Sequence, residues 1–66
     1  MKLSRGWCKL SGAVYESSDG WRIHLNGLIR PPGGETFHAQ QTEFYRFMQL
    51  TGGNRKRALM ACAESA

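Results

Sequence analysis

Cysteine is scarce in this chain: Cys8 and Cys62 are the only two in sixty-six residues. A secreted domain of this size usually relies on several disulfides, so two cysteines make no framework. They are expected as reduced, mostly buried thiols of a cytoplasmic protein, and composition gives no reason to join them. Long apolar runs are missing too. The longest, Ala58 to Ala63, falls far short of the ~20 residues that cross a bilayer. No apolar stretch follows the charges of Met1 to Gly6, so no secretory leader is expected.

Acidic residues are few, and they are scattered. Glu16, Asp19, Glu35, Glu43 and Glu64 form no acid pair, and no serine or cysteine stands in a nucleophile motif. Gly33-Gly34 and Gly52-Gly53 are turn sequences and do not form a phosphate loop. A non-enzymatic protein is expected. Cys8, His24, His38 and Cys62 are the residue types of a zinc site, but no two lie close together in the sequence. Structural zinc ligands usually come in close pairs, so neither metal nor cofactor is expected.

What is present suffices for one small domain over residues 1–66. The hydrophobic fraction is 41%, with two Trp, two Tyr and three Phe. That supplies a single core near the lower size limit for folding alone. A homodimer burying a further face is compatible with so small a core. Nine Lys and Arg against five Asp and Glu give a net charge of +4. The balance favours a nucleic acid or an acidic protein surface as partner.

The centre of the chain is Trp21–Arg30, W-R-I-H-L-N-G-L-I-R. Asn26-Gly27 between strand-favouring runs is a strong hairpin signal, because both residues tolerate positive φ. Two registers are open. A two-residue turn sets Leu25 against Leu28 and mixes core with surface. A three-residue loop, Leu25-Asn26-Gly27, pairs Ile23 with Ile29 and Arg22 with Arg30. The second is preferred because alternation then agrees across the pair. Trp21, Ile23 and Ile29 share one face; Arg22, His24 and Arg30 share the other with Leu28.

Upstream, residues 5–16 read as a first strand interrupted by a bulge or bend at Gly12. The cluster Ser17-Ser18-Asp19-Gly20 then turns the chain so that this strand pairs with the next. Pro31-Pro32-Gly33-Gly34 ends the hairpin, and 35–38 is at most a short edge strand. From Ala39 the period changes. Phe44, Phe47 and Met48 follow helical spacing, Gly52-Gly53 breaks the helix, and Asn54 is a good N-cap for a second helix from Arg55 to about Glu64. The expected fold is α+β: a three-stranded antiparallel β-meander followed by two short C-terminal helices packed on one face.

Three candidate surfaces emerge. Arg55, Lys56 and Arg57 place three cations in the first turn of a helix, against its dipole, where phosphate would offset them. The second is the sheet face bearing Arg22, His24 and Arg30, with Lys9 as a further candidate; arginine there suits guanine in the major groove. Third, Tyr45 and Arg46 combine the residue types favoured in protein-binding hot spots. Residues 42–63 also agree in part with a helix-turn-helix, with Met48, Leu59 and Cys62 at apolar positions. Gly52 and Asn54 depart from that pattern, and a plain helical hairpin is expected instead.

Together these features predict a small, basic, cytoplasmic accessory or regulatory protein that binds nucleic acid, with duplex DNA as the expected form. Its size and lack of catalytic groups suit the small accessory proteins that phages and mobile elements encode. The alternative is a protein-binding module, such as a stoichiometric inhibitor or adaptor.

Overall fold

Ile23 and Ile29 are the pair on which the sheet is built. In the computed structural model, which describes residues 2–66, they lie opposite each other on adjacent strands. Met1, the first residue of the segment read for a leader, lies outside the described residues. The elements run β1 (Cys8–Ser11), β2 (Val14–Glu16), β3 (Arg22–His24), β4 (Leu28–Arg30), β5 (Phe37–His38), α1 (Gln41–Leu50) and α2 (Arg55–Glu64). The sheet has five antiparallel strands in the order β1-β2-β3-β4-β5.

The three-stranded meander is therefore incorrect, for two local reasons. Ser11 pairs with Val14, so Gly12 and Ala13 reverse the chain completely and divide the expected first strand into β1 and β2. The irregularity expected at Gly12 lies instead between Lys9 and Ser11, where the register shifts. At the other edge, the loop closed by the Gly34 N–H on the Pro31 carbonyl (3.1 Å) brings Phe37 and His38 beside Ile29 and Leu28.

The central hairpin adopts the three-residue register: Ile23 pairs with Ile29 and Arg22 with Arg30. Gly27 closes the loop at φ +106° and donates its N–H to the His24 carbonyl at 2.9 Å. A side chain at that φ would be strained, which is why glycine stands there.

Of the two helices, α2 is the central one. Its residues Ala58 to Ala63 are all buried, whereas α1 has no fully buried residue. Burial of six consecutive positions covers every side of a helix that turns once per 3.6 residues. The coverings come from β3 on one flank, α1 on another, and Leu3 and Trp7 of the N-terminal segment, which pack on the same core. This explains why Ala58, Ala61 and Ala63 are small: neighbours approach from several directions. Leu59, Ile23 and Ile29 are at most 1% exposed, and each contributes about 1.5–3 kcal/mol by leaving water.

So thorough a burial also removes the helix-turn-helix comparison, because a recognition helix needs an open flank to enter a groove. The two helices form the expected hairpin, with Gly52 and Gly53 both at positive φ and the Gly53 N–H on the Met48 carbonyl at 2.8 Å. Among the described residues, no helix is long and apolar enough to cross a membrane.

Candidate nucleic-acid interface

The alternation of β3 and β4 sorts their side chains between two faces. Ile23 and Ile29 join Leu59 in the core, so Arg22, His24, Leu28 and Arg30 lie on the opposite face, away from α2. Cross-strand pairing extends that face. Cys8 pairs with Glu16, Glu16 with Arg22, and Arg22 with Arg30, making one row over four strands. Beside it, Val14 pairs with His24, and Leu28 with His38.

Two like charges set opposite each other, as Arg22 and Arg30 are, would repel. Glu16 offsets one of them: Arg22 Nε donates to Glu16 Oε2 at 2.8 Å. Arg30 is exposed and has no ion-pair partner among the described residues. Lys9 pairs with Tyr15, so it belongs to the Tyr15–Ile23–Ile29 side and not to this face. Glu16 and His38 were not found by sequence reasoning. The signal for Glu16 was its place immediately before the turn cluster Ser17–Gly20, which sets it opposite Arg22. His38 joins only through the two-residue strand β5.

The second candidate, Arg55-Lys56-Arg57, is divided by the fold, with Arg55 on one side and Lys56 and Arg57 on another. Asn54 is extended (φ −85°, ψ 100°) and its Oδ1 accepts from the Arg57 N–H at 3.1 Å, as an N-cap does. Arg55 donates from Nε to the Leu25 carbonyl, and its guanidinium carbon lies 5.1 Å from the centre of the Phe44 ring. Lys56 Nζ is 5.3 Å from the centre of the Tyr15 ring. Lys56 and Arg57 line one hollow with Leu3, Trp7 and Met60, while Arg55 lines another. Aromatic faces and a carbonyl thus attract Arg55 and Lys56, so their position against the helix dipole needs no bound anion.

Tyr45 and Arg46 also separate, because adjacent helical positions differ by about 100°. Arg46 lies over Phe47 at 5.1 Å. Tyr45 is 59% exposed and its hydroxyl accepts from Gln41 Nε2 at 3.3 Å. Its neighbour across a hollow of about 290 Å³ is Arg55, with Asn26 and His38 on the same rim.

A polar cluster elsewhere ties the chain ends together. The Glu64 carboxylate accepts from the Ser4 N–H (2.9 Å to Oε2), the Arg5 N–H (3.0 Å) and Trp7 Nε1 (2.9 Å). Burial alone would raise its pKa, but these hydrogen bonds hold it below the ordinary 4.5. Asp19 is held below 3.8, first by the Ser17 hydroxyl and then by Arg5, with burial opposing. Burial, reinforced by the negative charge of Glu43, pushes the Cys62 thiol up to about 11, so it is uncharged at neutral pH. Cys8 is exposed on β1, and neither cysteine is in a disulfide. Among the described residues, no three His, Cys, Asp or Glu are grouped to hold a metal ion.

No protein-family model, no curated protein and no solved structure matches this chain.

Proposed function

We propose that this chain is a small cytoplasmic nucleic-acid-binding accessory protein that acts by binding, without catalysis, and meets duplex DNA with the sheet face opposite its helices. The observation that carries this reading is the row on that face: exposed Arg30 beside Arg22, with His24 and His38 adjoining. A twisted antiparallel sheet offers this row to a groove, where arginine makes paired hydrogen bonds to guanine or to phosphate oxygens. Arg22 is partly neutralised by Glu16, so Arg30 supplies most of the free charge. The net charge of +4 favours association with a polyanion. Arg55 and Lys56 support the reading less, since both already have attractive partners within the chain.

An NMR titration of labelled protein with a generic duplex tests it, first at low and then at physiological salt. Shifts at Arg22, His24, Arg30 and His38 that fade with salt are expected. Shifts confined to Arg55–Arg57 would move the interface to the start of α2. An unmoved spectrum at low salt would overturn nucleic-acid binding altogether.

A second reading is favoured by the exposure of Tyr45 beside a hollow: a protein-binding module that takes an acidic partner surface, with Tyr45 as anchor. Arg46, on another flank and drawn to Phe47, would contribute only at the rim. Loss of a captured partner on Tyr45→Ala, with Arg30→Ala unaffected, would select this reading.

A further inference from the structure

The hollow between the start of α1, the β3–β4 turn and the start of α2 is not explained by either the core or the sheet face. We infer that it is a subsite for one unpaired nucleotide of the bound nucleic acid, with the base stacked on Tyr45 and its phosphate held by Arg55. The inference rests on the nucleic-acid reading and extends it from duplex to a junction between duplex and single strand.

Four observations carry it. The first is the placement of Arg55: Nε is engaged by the Leu25 carbonyl and the guanidinium carbon lies over Phe44. Held this way, the group keeps its two terminal amino groups for a ligand, a fork that matches two oxygens of a phosphate. The second is charge. The hollow is lined by Arg55, His38, Asn26 and Gln41, and no carboxylate lines it, so an anion is favoured and an acidic residue does not compete for the arginine. The third is the ring of Tyr45, which is 59% exposed and tethered through its hydroxyl to Gln41. An accessible aromatic face fixed at one end is a platform on which any base stacks. The fourth is size. About 290 Å³ is just below the range of ligand clefts, about 300–1,000 Å³, a size that suits one planar ring.

The hollow also continues the proposed interface. His38 pairs with Leu28 at the edge of the sheet face and lines the hollow as well. A strand leaving a duplex on the sheet would pass His38 and reach Arg55 and Tyr45 in turn.

Fluorescence anisotropy with three labelled DNA duplexes tests the assignment: blunt-ended, with a short single-stranded overhang, and with the same overhang lacking its bases. The overhang is expected to raise affinity roughly tenfold over the blunt duplex, the scale of one stacked base. Removing the bases, or Tyr45→Ala, should remove most of that gain, leaving the part due to Arg55 and phosphate. Tyr45→Phe, which keeps the ring and loses only the tether to Gln41, should keep most of it. Retained dispersion in the NMR spectrum shows that each variant folds, and the baseless overhang tests stacking on the unaltered protein. Equal affinity for all three duplexes would overturn the subsite while leaving the sheet face standing, and would pass the hollow to a protein partner. A Tyr45→Ala protein that keeps the full overhang gain would overturn it as well. No binding to any duplex at low salt would overturn both the subsite and the reading beneath it.

Discussion

Glu64 shows how much a single side chain can hold in a chain this short. Its carboxylate receives the Ser4 and Arg5 backbone N–H groups and the Trp7 indole, so it joins the last turn of α2 to the segment that covers it. Glu64→Ala leaves those donors without their charged acceptor and is expected to cost about 1–3 kcal/mol, measured by urea denaturation. The pH dependence follows from the direction of the shift. The folded pKa lies below the ordinary 4.5, so the stabilisation is fully present above that value and is lost as pH falls through the folded pKa. Glu64→Gln should flatten this part of the acid limb of the stability curve; an unchanged limb would assign the acid sensitivity to other carboxylates, Asp19 first. None of this was legible beforehand. Glu64 and its donors are nearly the whole chain apart, and an isolated glutamate before the C-terminus carries no local signal of what it will meet. By contrast, the shared face of Arg22, His24 and Arg30 was legible, because alternation depends only on neighbouring residues and on one turn.

At the scale of elements, legibility follows the strength of local punctuation. The β3–β4 hairpin was read with its register because Asn26-Gly27 marks the turn and only one pairing kept Ile23 with Ile29. The β1–β2 turn was missed because Gly12-Ala13 has no such mark, and Gly12 in a strand suggests a bulge as readily as a reversal. The short edge strand read within 35–38 is present as β5, but with two residues, because its extent is set by pairing with β4, a tertiary cause that no window of sequence contains. α2 was located by its cap, but its central place was not legible: Ala58 to Ala63 are all buried. That central position makes the cap consequential. Asn54→Ala removes the acceptor of the Arg57 N–H and should lower global stability by about 1 kcal/mol. Asn54→Asp should retain most of it, since a carboxylate also accepts that bond and suits the positive end of the helix dipole. An unchanged urea midpoint for Asn54→Ala would mean that α2 is held by packing alone.

Over the whole molecule, the count of nine Lys and Arg overstates the cations that a polyanion would find free. Arg5 is paired with Asp19 and Arg22 with Glu16, and Arg55, Lys56 and Arg46 lie against aromatic rings. Composition could announce a basic protein but not this distribution, because the neutralising partners are brought up by the fold, Glu16 from the neighbouring strand and Asp19 from the β2–β3 turn. The distribution sets a quantitative expectation. Binding through the sheet face and the neighbouring hollow engages Arg30, Arg55 and, at a discount for Glu16, Arg22, so about three phosphates are neutralised. Each neutralised phosphate releases condensed counterions, and the slope of log affinity against log salt should be about −3 or shallower between about 50 and 200 mM salt. Arg30→Ala should bring the slope about one unit nearer zero, because it removes a free cation. Glu16→Gln should act oppositely: releasing Arg22 from its partner adds positive charge to the face and steepens the slope. Anisotropy titrations of the three proteins across salt make the comparison. A wild-type slope near zero would exclude phosphate contacts, and a steep slope unmoved by either substitution would place them away from the sheet face.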